Sequence, residues 1–138
     1  MRKIIVATHG CLADGVKSSI EILCGKKDNI SYINAYVKDN NIDSDIRRFF
    51  ENVKPEDEAV IFTDILGGSV NQKFMPYCSR PNVYLIAGFN LGIILEIVLR
   101  EAPLTEQNIE ELIESCRKQL VYIKELEVKS RNDEEFFD

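Results

Sequence analysis

The sequence predicts an α/β fold, a three-layer sandwich in which a mainly parallel sheet of about four strands carries helices on both faces. Three observations predict this class. Short β-rich runs recur along the 138 residues, and segments with helical apolar spacing separate them. The first run, Lys3 to Thr8, lacks polar-apolar alternation, as is typical of a strand covered on both faces. We expect the flavodoxin-like strand order 2-1-3-4, in which strands one and three are neighbours.

Strand one is predicted over Lys3 to Thr8, an uninterrupted apolar run. After a glycine, apolar residues recur at spacings of four, four and three, which indicates a helix. Gly25 is expected at the end of this helix, because glycine readily adopts the left-handed conformation common at helix C-termini. The apolar positions of the helix are Leu12, Val16, Ile20 and Leu23.

Strand two is predicted over Ile30 to Val37. The polar loop after it leads to Asp43, a residue type that caps helix N-termini, and we expect the second helix to begin there. Its apolar stripe consists of Ile46, Phe49, Phe50 and Val53.

Strand three is predicted over Ala59 to Thr63. Gly67 and Gly68 then open a third helix, with Ser69 expected as its N-cap. Pro76 should kink or shorten this helix, because proline has no N–H to donate. The positions expected to face inward are Val70, Phe74, Tyr77 and Cys78.

Strand four is predicted over Val83 to Ala87. The very apolar segment Leu91 to Leu99 is too short to span a bilayer and is interpreted as a buried helix. Thr105 is expected to cap a long last helix, because apolar residues with helical spacing follow it. These are Ile109, Leu112, Ile113, Cys116, Leu120 and Ile123.

The length suits one domain, which we expect over residues 1–128, followed by a charged tail over residues 129–138. No targeting segment is predicted, since the first apolar run ends at His9 and no small-residue cleavage site follows. The four cysteines, at positions 11, 24, 78 and 116, form no C-x-x-C pair. We expect them to be reduced residues in the core of a cytoplasmic protein.

Acidic residues outnumber basic ones by 23 to 17, and the formal net charge is -6. This balance argues against unspecific nucleic-acid binding, whereas a basic partner protein would be compatible. The chain has neither G-x-x-x-x-G-K-[ST] nor G-x-G-x-x-G, so neither nucleotide-binding loop is predicted. A magnesium-dependent receiver would need an acidic cluster after strand one, where Thr8-His9-Gly10 stands, so we expect no metal and no cofactor.

The only histidine, His9, lies at the end of strand one, where open α/β sheets bind ligands. If strands one and three are neighbours, Asp64 lies beside it. A neutral imidazole is a nucleophile at physiological pH, provided that its second nitrogen holds the proton. A carboxylate accepting that proton's hydrogen bond would fix the tautomer and stabilise the positive charge of the attacking ring. His9 and Asp64 are therefore the candidate catalytic residues.

Backbone N–H groups of a glycine-rich turn leading into a helix can hold negative charge, which predicts phosphate binding by Gly67, Gly68, Ser69 and Val70. Each residue also has a purely structural interpretation. A lone histidine can be structural, Asp64 can be a turn residue, and the two glycines can serve only the tight turn. A Ser69-His9-Asp64 hydrolase triad is disfavoured, since the G-x-S-x-G elbow is missing.

Three motifs resemble one family. ATHGCLADGVKSSIEILCG resembles the phosphorylation-site segment of the mannose-class enzyme IIA domains of the bacterial phosphoenolpyruvate-dependent sugar phosphotransferase system. TDILGGSVNQ and AGFNLGIILE resemble the family's second and third motifs, in the same order along the chain. The family's common G-G-S-P-x-N lacks its proline here, which leaves the local turn geometry open.

The resemblance implies that the protein is a phosphotransferase component. His9 would accept phosphate from the phosphocarrier protein HPr and pass it to a IIB domain, with the membrane IIC and IID permease as an indirect partner. It implies that Asp64 holds the other ring nitrogen and that Ser69 and neighbouring amides lie near the phosphoryl group. Family members often form homodimers through a C-terminal strand, for which residues 126–129 are a brief candidate. Two alternatives stay open, a regulatory interaction module and the phosphodonor of a dihydroxyacetone kinase.

Overall fold

The computed structural model describes residues 1–38 and 40–124. Within these residues the strands form one fully parallel sheet in the order β2-β1-β3-β4, so the predicted order is confirmed. The unbroken parallel pairing requires a helical crossover between successive strands. The strands are β1 (Arg2–His9), β2 (Ile30–Ala35), β3 (Glu58–Thr63) and β4 (Val83–Ala87).

Helices cover both faces of the sheet. Alternate residues of the central strands point to opposite faces, which divides the core into two apolar clusters. The helices are α1 (Leu12–Cys24), α2 (Ile42–Glu51), α3 (Ser69–Phe74), α4 (Leu91–Leu99) and α5 (Glu106–Arg117). One cluster includes Val6 and Phe62 and is closed by α1, α4 and α5, and the other includes Ala7 and Ile61 and is closed by α2 and α3.

The pairing of β1 with β3 decides which loops meet. Ala7 of β1 lies beside Thr63 of β3, so His9 at the end of β1 and Asp64 just beyond β3 reach the same edge of the sheet. On its other side His9 pairs with Ala35, the last residue of β2. The carboxyl ends of the three strands β2, β1 and β3 therefore surround one point, as the strand order predicts.

The segment from β2 to α2 differs from the prediction in two places. β2 ends at Ala35 and not at Val37, because Tyr36 adopts a φ of 66°, which breaks the extended backbone. Asp43 is not the cap of α2. Asn41 is the N-cap, with its side-chain oxygen accepting from the Ser44 N–H at 3.1 Å. Asp43 lies within the first turn of the helix and pairs with Lys73.

The third helix is short, as Pro76 predicted, and continues as a 3-10 turn over Met75–Tyr77. Gly68, not the expected Ser69, occupies its N-cap position. Val70 and Phe74 are buried and Tyr77 stacks on Phe50 with ring centroids 3.9 Å apart. These inward positions are confirmed.

The last helix, α5, begins as predicted and ends early. Thr105 is its N-cap and forms a reciprocal capping box with Asn108. The helix ends at Arg117, where the Asn90 side-chain amide donates to the Cys116 carbonyl at 2.9 Å. The next N–H groups, of Gln119 and Leu120, donate to carbonyls three residues back, as in a 3-10 turn. Leu120 and Ile123, expected on the buried stripe, lie beyond this end and are exposed.

The cysteines are only partly buried in the core. All four are free. Cys116 is buried and Cys24 half-buried, but Cys11 and Cys78 are exposed, so the expectation of core cysteines is wrong for these two.

The buried stripe of α1 also differs from the prediction. Ala13, Val16 and Ile20 are buried, while Leu12 and Leu23 are exposed.

The candidate dimer strand (residues 126–129), the charged tail (residues 129–138) and the predicted domain end at 128 lie outside the described residues. In the part of the chain that the structure describes, no helix has the length and apolarity needed to cross a membrane.

Two isoleucines of α1 offer a matched test of this packing. Ile20 is 0% exposed and Ile22 is 82% exposed, so the same change to alanine leaves a cavity only at Ile20. We expect Ile20→Ala to lower the free energy of unfolding by about 2–5 kcal/mol, and Ile22→Ala to change it by less than about 0.5 kcal/mol. Urea denaturation measures both, and equal losses would contradict the placement of α1.

Candidate functional site

The structure brings His9 and Asp64 into direct contact. One carboxylate oxygen of Asp64, Oδ2, accepts the backbone N–H of His9 at 2.8 Å and lies 2.9 Å from the ring Nδ1. The Asp64 side chain is 10% exposed and that of His9 is 39% exposed. The carboxylate is thus enclosed, while part of the imidazole faces solvent.

This contact decides which ring nitrogen is reactive. An ionised carboxylate only accepts hydrogen bonds, so the proton of the neutral ring must lie on Nδ1. Burial raises the pKa of Asp64, but the hydrogen bonds from the His9 backbone and ring, together with electrostatic attraction to His9, outweigh it and hold the pKa below its ordinary value. Asp64 is therefore ionised at neutral pH, and Nε2 carries the free lone pair of His9.

Ser69 lies on the Nε2 side of the ring. Its Oγ is 3.3 Å from Nε2, so its hydroxyl can donate to that nitrogen. Ser69 is the first residue of α3, where N–H groups have no acceptor within the helix. The N–H groups of Ser69 and Val70 therefore have no acceptor within the helix, and Val70 as a whole is buried.

The N–H groups of the two glycines donate within the turn itself. The Gly67 N–H donates to Asn71 Oδ1 at 3.0 Å, and the Gly68 N–H donates to the Ile65 carbonyl at 3.1 Å. Gly67 has a φ of 75°, which favours glycine, and a Cβ on Gly68 would lie 3.3 Å from Ile65 and 3.6 Å from His9 Cε1. In this structure both glycine amides donate within the turn, and phosphate binding by the four residues stays a prediction.

Asn71 was not selected from the sequence, although it holds this turn in place. Its side chain is buried and donates to Thr63 Oγ1 at 2.9 Å while its oxygen accepts from Gly67. The amide thereby ties the glycine turn to the end of β3. An asparagine two residues after Ser69 was the available signal, but its partners are not visible without the fold.

Tyr36 is a second residue that sequence reasoning missed. Its hydroxyl lies 2.9 Å from Ser69 Oγ, and its ring centroid is 5.6 Å from that of His9. The sequence placed Tyr36 inside strand two, where it would be an ordinary strand residue. The left-handed turn at its own backbone brings it to the site.

Exposed apolar side chains follow the same strand ends. They are Leu12, Tyr36, Val37, Ile65 and Leu66. Such a group around a polar centre is typical of a surface that binds another protein.

Among the described residues no cluster of three or more His, Cys, Asp or Glu side chains could hold a metal ion.

Residues 3–116 match a family model, EIIA-man, described as the PTS system fructose IIA component. A search of curated proteins gave no match. Among solved structures, a candidate phosphoenolpyruvate-dependent sugar phosphotransferase system (PTS) permease from Klebsiella pneumoniae subsp. pneumoniae is 32% identical, with 88% of this chain and 90% of that chain covered and a TM-score of 0.74.

The phosphotransferase system component EIIA from Streptococcus agalactiae is 26% identical, with 88% of this chain and 97% of that chain covered and a TM-score of 0.75. The PTS IIA protein associated with the fucose utilization operon of Streptococcus pneumoniae is 22% identical, with coverages of 94% and 95% and a TM-score of 0.76, which shows the shared fold. The matched segment contains every element that forms the site.

The lowered pKa of Asp64 predicts a pH-dependent stability. A carboxylate with a lowered folded-state pKa contributes stability above its unfolded value, and this contribution is lost as the pH falls through the folded value. We expect Asp64→Asn to lower the free energy of unfolding by about 1 kcal/mol at pH 7, because the charge-assisted bonds become neutral ones. The difference between wild type and variant should therefore shrink as the pH falls below 3.8, the ordinary pKa of an aspartate.

Urea denaturation of both proteins between pH 7 and about pH 3 measures this difference. Asp57, whose pKa is also lowered, mainly by the Lys54 N–H that it accepts, is present in both proteins and cancels. A difference that stays constant over the range would contradict the ionised Asp64.

Proposed function

Since the chain belongs to the EIIA-man family of PTS fructose IIA components, we propose that it is the phosphocarrier of a sugar phosphotransferase system. His9 accepts a phosphoryl group from phosphorylated HPr and passes it to a IIB domain, which serves sugar uptake and phosphorylation through the IIC and IID permease. The observation that carries this proposal is the pairing of Nδ1 with Asp64 at 2.9 Å, which directs the lone pair of a half-exposed ring to Nε2.

The transfer step balances without a metal or an external base. The Nε2 lone pair of His9 forms a bond to phosphorus while the N–P bond of the donor phosphohistidine breaks and its electron pair returns to the donor ring. His9 keeps its proton on Nδ1 and becomes a positively charged phosphoimidazole. The Asp64 carboxylate faces that new charge across the existing hydrogen bond, so no group needs to move to stabilise it.

The phosphoryl oxygens also need donors, and the transition state of such transfers is loose, with its charge on those oxygens. We assign this part to the amides of Ser69 and Val70 and the hydroxyl of Ser69, with Gly67 and Gly68 shaping the turn. Each such dipole contributes about 0.3–1 kcal/mol at an exposed site. That range orients the group without trapping it, as reversible transfer requires.

Two partners must reach the same nitrogen in turn, which an exposed ring permits. The apolar side chains that follow the strand ends would form the contact area, and the net charge of -6 suits a basic phosphocarrier. With such partners the protein works in the cytoplasm. The predicted homodimer stays a prediction, since its candidate strand lies outside the described residues.

Labelling with radioactive phosphoenolpyruvate, enzyme I and HPr tests the proposal. Wild type should take up one acid-labile phosphate, and His9→Ala should take up none, because the chain has no other histidine. Addition of a IIB domain should remove the label. Unlabelled wild-type protein would overturn the proposal, whereas label that no IIB domain accepts would favour a regulatory module, and label passed to a dihydroxyacetone kinase would favour that phosphodonor role.

Asp64→Asn should slow transfer about tenfold or more, which corresponds to about 1.4 kcal/mol of lost transition-state stabilisation. The amide still accepts hydrogen bonds but cannot balance the positive ring. Asp28→Asn is the matched control, since it makes the same charge change on an exposed residue before β2, at the opposite edge of the sheet. Equal rates for Asp64→Asn and the control in rapid-quench labelling would remove Asp64 from the mechanism.

A further inference from the structure

We propose that Tyr36 is a positioning residue for phosphoryl transfer, which acts by aiming the Ser69 hydroxyl at the group on His9 Nε2. This inference rests on the proposed phosphocarrier function and extends it to a residue outside the three motifs that resemble the family. It follows from a chain of hydrogen bonds whose direction the structure determines.

The direction of the chain begins at Asp64. Because Asp64 accepts the hydrogen bond from the Nδ1 proton, Nε2 of the neutral ring can only accept. The Ser69 hydroxyl, 3.3 Å away, is then the donor to it. Ser69 Oγ then has lone pairs to offer, and the Tyr36 hydroxyl at 2.9 Å donates to one of them. Tyr36 thereby determines the rotation of the Ser69 hydroxyl.

This chain must change when Nε2 binds phosphorus. The Nε2 lone pair is then used in the new bond, so the Ser69 hydrogen loses its acceptor, and the phosphoryl oxygens are the acceptors that replace it. With the Tyr36 hydroxyl still donating to Oγ, the Ser69 hydrogen points away from Tyr36, which favours a bond to those oxygens. A serine without this partner would sample other rotations, and the fraction of productive encounters would fall.

The backbone of Tyr36 supports a positioning role. Its φ of 66° lies in the left-handed region, where side chains other than glycine, asparagine and aspartate are uncommon. The side chain is 56% exposed, so little of it is buried in the core to offset that strain. This conformation places the Tyr36 ring centroid 5.6 Å from that of His9 and brings the Tyr36 hydroxyl into hydrogen-bond contact with Ser69 Oγ.

The test removes the hydroxyl alone. Tyr36→Phe keeps the ring and the backbone, and Tyr122→Phe is the matched control, because Tyr122 is exposed and lies after the last helix. Initial rates of phosphate uptake from phosphorylated HPr give kcat and KM for each protein. We expect Tyr36→Phe to lower kcat about threefold to tenfold with KM unchanged, and Tyr122→Phe to match wild type.

A double-mutant cycle shows whether Tyr36 acts through Ser69. In a Ser69→Ala background there is no hydroxyl to aim, so Tyr36→Phe should cause no further loss of rate. An additive loss in that background, a kcat within twofold of wild type, or a rise in KM alone would each overturn the inference. Unfolding curves that match wild type ensure that the effect is not one of stability.

A chemical donor separates failure of this inference from failure of the proposed function. Phosphoramidate can label His9 directly, as the Nε2–P bond forms while its own N–P bond breaks and ammonia leaves with that electron pair. Wild type that phosphoramidate labels and phosphorylated HPr does not would refute the carrier function alone. Tyr36→Phe should still be labelled by phosphoramidate about threefold to tenfold more slowly than wild type, and equal labelling would refute the role of Tyr36 alone.

Discussion

The carboxylate of Asp64 connects two strands that are 55 residues apart in the chain, and the candidate site depends on this connection. Oδ2 accepts both the backbone N–H and the ring Nδ1 of His9, so it restrains the position of the residue and the orientation of its ring at once. Removing the carboxylate from solvent is unfavourable, and the two hydrogen bonds from His9 offset that penalty. Because the same bonds place the neutral ring's proton, a structural contact also selects the reactive nitrogen.

The surroundings of His9 are rigid on one side and open on the other. Asp64, the glycine turn and buried Asn71 are joined to the end of β3, which is covered by helices on both faces. Opposite them, Nε2 faces Ser69, Tyr36 and solvent. A residue that exchanges phosphate with two successive proteins needs both properties, since a mobile ring would lose orientation and an enclosed ring would exclude its partners.

Much of the fold was predictable because its determinants are local. Short β-rich runs marked the four strands, helical spacing marked the helices, and Pro76 and Thr105 marked boundaries that the structure confirms. Some errors were local, such as the Asn41 cap of α2, and one involves a contact distant in sequence. Helix α5 ends at Arg117 although its apolar spacing continues, and there Asn90, from the loop before α4, donates to the carbonyl of Cys116.

The sequence alone determined which chemical groups the site could contain, since a single histidine, one aspartate after a strand and a glycine-serine turn are visible without coordinates. The tertiary structure decided how they are used. It engaged the amides of Gly67 and Gly68 within the turn, moved the helix cap from Ser69 to Gly68, and brought Tyr36 onto Ser69. Hydrogen bonds are directional and act over about 3 Å, so partners from separate loops are settled only when the strands pair and those loops are brought to one edge of the sheet.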